Sequence, residues 1–266
     1  MGACPPFAQV SNGLQEATVN RKLVPLFGMR RRMENQPFWK AKTALVCYIL
    51  LFAGILVGSI IVALILLGMG LGVQELTFPS ALIALPINEG IILGITLVFA
   101  KQKGAGLKQL GLKKPSLKII LIASFAALFL LLLASGISVI EEVILGPDPD
   151  AQLLLEAILP RDSLQLIAML GISLALVGPA EELAFRGFVQ RGFETSFGKT
   201  RGLLVASVLF GLLHGLNSLR SIVPVTVVSL FLGYFWQKTD GNTVASAWMH
   251  GLYDAIAIAL AYLAYV

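Results

Sequence analysis

Two adjacent glutamates lie inside an apolar stretch of this chain, and their types and spacing suit chemistry. Glu181 and Glu182 are followed by Arg186, in an apolar run that begins near Leu164. On a helix, Glu182 and Arg186 are four residues apart and face each other, whereas Glu181 points about 100° away. An ionisable side chain inside a membrane is costly, so it normally has a partner and a function. We therefore predict that Glu182 is paired and that Glu181 is free to act.

The two histidines of the chain extend this set. His214 lies four residues after Phe210 and His250 lies four residues before Asp254, both in apolar helical patterns. At a rise of about 1.5 Å per residue, these two histidines, Asp254 and Glu181 lie roughly 15 to 21 Å from the same predicted membrane surface. A single histidine in a membrane helix more often serves helix packing. Three helices that bring titratable groups to one depth, however, can form one buried polar site.

The composition indicates an integral membrane protein. Hydrophobic residues make up 57% of the 266 residues, charged residues only 13%, and the mean hydropathy is +0.84. Soluble domains have about 25% charged residues. The net charge of +5 does not indicate nucleic-acid binding, because the basic residues lie in short loops beside apolar segments. The two cysteines, Cys4 and Cys47, indicate neither a disulfide framework nor a thiolate zinc site.

The apolar pattern predicts an all-α, polytopic membrane protein with about seven transmembrane helices and an intramembrane active site. Residues 1–43 are predicted to form a basic cytosolic tail, and residues 44–266 the transmembrane domain. The predicted spans are 44–71, 78–100, 119–140, 164–193, 202–216, 222–236 and 243–265. Gly178 and Pro179 interrupt the fourth span directly before the glutamates. We interpret Glu89 and its polar neighbours in the second span as structural partners of a proline kink.

The distribution of basic residues predicts the topology. With seven alternating spans, 17 of the 20 Lys and Arg residues lie on the side of the amino terminus, Arg161 and Arg220 lie opposite, and Arg186 lies inside the membrane. Basic loops normally face the cytosol. We therefore expect a cytosolic amino terminus in a multi-pass protein of the cell (inner) membrane.

A second glutamate pair serves as an internal comparison. Glu141 and Glu142 lie at the end of the third predicted span, in an acidic loop that extends to Asp162. Gly146 stands where the first pair has its arginine. We therefore interpret this second pair as part of a solvated surface.

Three motifs in the region of about residues 164–265 resemble those of a known family. They are Glu-Glu-x-x-x-Arg from Glu181, Phe-x-x-x-His from Phe210 and His-x-x-x-Asp from His250, on separate spans and in this order. In these motifs the chain is similar to the CPBP family, the CAAX prenyl endopeptidase and bacteriocin-processing (Abi) intramembrane proteases. It departs from the prenyl proteases of that family at Asp254, where they have Asn.

The resemblance implies a glutamate-dependent peptidase that needs no metal or cofactor and whose site opens toward the cytosol. The implied partners are membrane lipids and a peptide or protein substrate, which in part of the family is prenylated. The implied roles fall into three pairs: Glu181 and His214 activate water, Glu182 and Arg186 hold the site and the substrate backbone, and His250 and Asp254 form an oxyanion hole. An ionised Asp254 cannot donate a hydrogen bond to an oxyanion.

Two other classes of function remain open on the sequence. A zinc metalloprotease would use His214, His250 and one glutamate, although the chain has no His-Glu-x-x-His motif. A proton-coupled transporter or a non-catalytic membrane scaffold would also place Glu, His and Asp side chains inside the membrane. The absence of an internal repeat argues against the transporter.

Overall fold

Helices make up almost all of the part of the chain that the structure describes, residues 39–70 and 77–265. The predicted tail lies almost entirely outside these residues. The helices of this computed structural model are α1 (Ala41–Gly68), α2 (Phe78–Gln102), α3 (Leu117–Leu145), α4 (Pro149–Ile158), α5 (Ser163–Phe197), α6 (Lys199–His214), α7 (Ile222–Lys238) and α8 (Thr243–Tyr265). The predicted fold class, a polytopic all-α membrane protein, is confirmed.

Six helical segments within the described residues are long and apolar enough to cross a membrane. They are α1, α2, α3, α5, α8 and the segment Leu219–Lys238, which contains α7. The remaining predicted span, residues 202–216, is α6, which has only 16 residues. Such a helix extends about 24 Å, whereas the hydrocarbon core of a bilayer is about 30 Å thick. The number of full-length spans among the described residues is therefore one below the prediction.

Although α6 is short, it carries the chain from one end of the helical bundle to the other. At its start, Gln237 Nε2 donates a hydrogen bond to Lys199 O, which joins it to the end of α7. After its end, Ser218 Oγ donates to Asp148 at the opposite end of the bundle. The order of alternating directions predicted from the sequence is thus retained.

The bundle has two chemically different ends. The basic end contains the start of α1, the connector 103–116 and the ends of α5 and α7; it is joined by hydrogen bonds from Thr243 N to Gly111 O (2.9 Å) and from Lys113 Nζ to Asp240 O (2.7 Å). The acidic end contains residues 141–163 and 214–221. There Arg220 donates to the carbonyl oxygens of Leu145 and Gly146, at the end of α3.

The predicted acidic loop contains a helix, α4. Asp148 accepts hydrogen bonds from the backbone N–H groups of Asp150 and Ala151, and Pro149 occupies the first turn, so the local sequence starts a helix here. The hydrogen bond from Ser218 also lowers the pKa of Asp148 below its ordinary value. Glu142 at the end of α3 is exposed, as expected for a solvated pair.

Candidate active site

The two glutamates of the first motif lie in an irregular part of α5. Two π-helical segments, Ser173–Val177 and Leu183–Gln190, flank the short α-helical segment Gly178–Glu182 that carries both carboxylates. Pro179 cannot donate the hydrogen bond of a regular helix, which accounts for irregularity at this point. The helix continues through the predicted interruption. π-Helical turns inside α-helices are frequent at functional sites.

Two glycines let α5 and α8 approach each other backbone to backbone. A Cβ atom on Gly178 would lie 2.7 Å from both Ala247 O and Gly251 N, and one on Gly251 would lie 2.6 Å from Ser173 O. No larger residue fits at either position without moving a helix. This close contact brings the residue before Gly251, His250, to the glutamates of α5.

Glu182 and Arg186 form a fully buried ion pair, as predicted from their spacing. Arg186 Nη1 lies 2.9 Å from Glu182 Oε1, a contact that has the distance of an ion pair but not the geometry of a hydrogen bond. The Nη2 atom donates to Ser229 O at 3.0 Å and to Ser229 Oγ at 2.9 Å. The guanidinium also packs on the ring of Phe210, 4.9 Å from its centre. Removal of one partner from such a pair leaves an uncompensated buried charge.

His250 connects this ion pair to the second glutamate. Its Nδ1 atom lies 3.1 Å from Glu182 Oε1, which makes Nδ1–H the donor and Glu182 the acceptor. Its Nε2 atom therefore faces the other way, 3.8 Å from Glu181 Oε2 and 3.5 Å from Asp254 Oδ2. Glu182, not Asp254, thus orients the imidazole.

His214, the last residue of α6, faces the same carboxylate oxygen. Its Nδ1 atom lies 3.0 Å from Phe210 O, to which an Nδ1–H group donates, and its Nε2 atom lies 3.9 Å from Glu181 Oε2. The Nε2 atoms of both histidines therefore point at Glu181. Oε2 of Glu181 is buried and has no hydrogen-bond partner within the described residues. The structure thus brings together the four side chains that were predicted to share one layer.

A cavity of about 660 Å³ opens on these groups. Glu181, His214, His250 and Asp254 line it, together with apolar side chains of α1, α2, α4 and α8. Glu182 and Arg186 are 0% and 1% exposed and are not among the lining residues. The expectation that Arg186 holds the substrate backbone does not agree with this position. Its guanidinium contacts Ser229 and Glu182 and does not line the cavity.

Sequence reasoning did not assign Glu89, an ionisable group inside a predicted span, to the cavity. Glu89 of α2 lines it, as does Asn88, although we interpreted both as partners of the kink at Pro86. The signal was present in the sequence, since an ionisable residue inside a membrane helix is by default a candidate for function. What the sequence lacked was the rotation of α2, which turns Glu89 toward α5 and α8.

The cavity extends toward the acidic end of the bundle. Leu66, Ala81, Asp150 and Asn217 line it, and all lie near that end, whereas no residue of the connector 103–116 does. The sequence predicted that the basic end faces the cytosol and the family resemblance implied a site open to the cytosol. The cavity, however, opens at the acidic end, which lies opposite the end that the basic residues predict to be cytosolic.

The geometry also bears on the zinc alternative. Among the residues that the structure describes, no group of three His, Cys, Asp or Glu side chains converges closely enough to hold one metal ion. The Nε2 atoms of His214 and His250 instead contact Glu181 across 3.9 and 3.8 Å.

Comparison with known proteins supports the resemblance seen in the motifs. Residues 163–256 match a family model described as type II CAAX prenyl endopeptidase, Rce1-like. The matched region contains all three motifs, from Glu181 to Asp254, and leaves out Glu89. Searches among curated proteins and among solved structures gave no match.

Proposed function

Because residues 163–256 match the model of the Rce1-like type II CAAX prenyl endopeptidases, a peptidase family, we propose that this membrane protein is a glutamic endopeptidase whose base is Glu181. The observation that supports this role is the position of Glu181 Oε2. It is buried, accepts no hydrogen bond from the described residues and faces two imidazole Nε2 atoms at the wall of a cavity. A carboxylate in that position is free to take a proton from water.

The attacking water would lie between Glu181 and His214. With Nδ1–H of His214 donating to Phe210 O, its Nε2 atom is an acceptor, so the water can donate one proton to each group. Glu181 takes the proton as the water oxygen bonds to the carbonyl carbon of the scissile peptide bond. The same carboxyl group then gives this proton to the leaving amine, which completes hydrolysis without a net change at Glu181.

His250 would stabilise the oxyanion that forms on the carbonyl oxygen. As an imidazolium it donates through Nδ1–H to Glu182 and presents Nε2–H to the cavity. Arg186 holds Glu182 in place on the side away from the cavity. Glu182 in turn orients His250, as a carboxylate orients the catalytic histidine in other hydrolases. Donors that are fixed before the reaction stabilise an oxyanion strongly in a site of low dielectric.

The cavity suits a peptide that carries apolar groups. Its volume lies within the range of about 300 to 1,000 Å³ that is common for ligand sites, and most of the residues that line it from α1, α2 and α4 are apolar. The carboxyl groups of Glu181 and Glu89 lie in these walls, and Asp150 and Asn217 add polar groups toward the acidic end. We infer that the substrate is a membrane-associated peptide, and that a prenyl chain is one apolar group that these walls would accept.

The test compares two glutamine variants of the purified protein on prenylated and unprenylated peptides. Glu181→Gln should lower turnover by roughly 100-fold to 10,000-fold, because the amide cannot take a proton from water. Glu142→Gln, a change at an exposed glutamate, should leave turnover unchanged. Cleavage should persist in strong chelators.

Two results would contradict the proposal. Turnover in Glu181→Gln close to that of the unmodified protein would exclude Glu181 as the base. Activity that is lost on chelation and restored by zinc would favour a metalloprotease instead.

A further inference from the structure

Glu89 is a buried carboxyl group without a partner. It is 4% exposed, and its Oε2 atom makes no hydrogen bond to any described residue. Its backbone lies three residues after Pro86 in α2, a helix with a mean hydropathy suitable for a membrane span. A carboxylate in the middle of such a helix is costly and normally has a function. The position therefore calls for an explanation beyond packing.

The structural explanation predicted from the sequence is not met. Pro86 leaves a backbone carbonyl of the preceding turn without its donor, and the acceptor oxygens of an ionised Glu89 cannot bond a carbonyl; Glu89 Oε2 and Asn88 Oδ1 also have no hydrogen-bond partner among the described residues. Asn88 instead packs against α1 at Gly58, where a Cβ atom would clash with its Oδ1. Close packing of Asn88 on α1 holds this stretch of α2, while the neighbouring Glu89 lines the cavity.

The position of Glu89 gives the cavity a second polar wall. Glu181, His250 and Asp254 line it from α5 and α8, and Glu89 lines it from α2. A substrate bound in the cavity therefore meets the proposed base, Glu181, on α5 and the carboxyl group of Glu89 on α2. The main chain of an extended peptide carries N–H donors on both sides of the scissile bond, and a carboxylate is an acceptor for such donors.

We propose that Glu89 is a positioning residue that accepts a hydrogen bond from a main-chain N–H group of the substrate. This bond fixes the peptide against α2, so that its scissile carbonyl faces Glu181. The proposal rests on the peptidase function proposed above, and it adds a specificity: the enzyme discriminates against peptides that lack the N–H group. A site that has a buried acceptor rejects such analogues because the acceptor stays unpaired.

Peptide binding tests the role separately from catalysis. The parent protein is Glu181→Gln, and the probe is a fluorescent S-farnesylated pentapeptide with or without N-methylation at successive amides. A hydrogen bond to a charged group is worth about 1.5 to 3 kcal/mol, so Glu89→Leu should weaken binding roughly 10-fold to 100-fold. Methylation of one amide should weaken binding to the parent similarly, and should have no further effect in Glu89→Leu.

Two further variants separate positioning from folding. Glu89→Gln retains an acceptor oxygen and should bind the unmethylated probe with affinity between those of the parent and Glu89→Leu. Thr96→Val lies on the same helix, at a residue that is 0% exposed and bonds only to Ile92 O, and it should leave affinity unchanged. Melting temperatures of all variants report the fold.

The outcomes distinguish this proposal from the peptidase assignment. Equal affinity for the probe in the parent and in Glu89→Leu overturns the role of Glu89, as does equal loss from methylation in both proteins. Full turnover in the Glu181→Gln single variant overturns the assigned base instead, and leaves the comparison at Glu89 valid.

Discussion

Replacement of Gly251 by alanine should damage the site without touching a charged group. A Cβ atom at Gly251 would lie 2.6 Å from Ser173 O and 3.0 Å from Leu174 Cα, both on the backbone of α5. Neither atom can rotate away as a side chain would. To reach an ordinary contact of 3.4 Å, α8 and α5 must separate by about 0.8 Å.

Separation of α8 from α5 would lengthen the hydrogen bond that orients the imidazole of His250. His250 precedes Gly251 on α8, and its Nδ1 atom lies 3.1 Å from Glu182 Oε1 on α5. If the whole displacement lies along this bond, the distance becomes about 3.9 Å, which is no longer a hydrogen bond. A misplacement of about 1 Å at a reacting group costs on the order of 100-fold in rate. Overpacking of this kind also destabilises a protein by about 1 to 3 kcal/mol.

The assay measures peptide turnover and the melting temperature of purified Gly251→Ala. The matched control is Gly171→Ala on α5, where a Cβ atom meets nothing within 4 Å. We expect turnover to fall about 100-fold in Gly251→Ala and to stay unchanged in Gly171→Ala. Unchanged turnover and melting temperature in Gly251→Ala would refute the argument, because they would mean that the two backbones are not in contact.

Three further predictions concern Asp254, the topology and the opening of the cavity. If Asp254 donates a hydrogen bond directly to the oxyanion, Asp254→Asn should retain activity, whereas Asp254→Ala should lower it roughly 100-fold to 1,000-fold. Equal loss of activity in both variants would show instead that Asp254 acts as an ionised partner of His250, whose Nε2 lies 3.5 Å away. In intact cells that express a protein without its two cysteines, an impermeant thiol reagent added outside should not modify Lys108→Cys in the basic connector, and ready modification would overturn the predicted topology. The same reagent should reach Val177→Cys, in the cavity wall, from the acidic end of the bundle, and labelling from the basic end alone would contradict the described opening.

The sequence alone determined the membrane class and most helix limits. Length and continuity of apolar segments are local properties, so the last predicted span, 243–265, coincides with α8. The pairing of Glu182 with Arg186 is also local, because residues four apart on one helix face each other whatever the rest of the chain does. A constant rise per residue places groups of different helices at one depth. These quantities need no knowledge of which helices are neighbours.

Only the tertiary structure decided which atoms face each other within that layer. The family resemblance implied that His250 acts with Asp254; in the structure its Nε2 atom lies 3.5 Å from Asp254 Oδ2, and its Nδ1 atom bonds Glu182 of another helix. Glu89 was attributed to a kink, yet the rotation of α2 turns it into the cavity. Both outcomes depend on the rotation and separation of helices, and these follow from packing between residues far apart in the chain, such as the contact of Gly251 with α5. Contacts of this kind have no counterpart in the local pattern of any single helix.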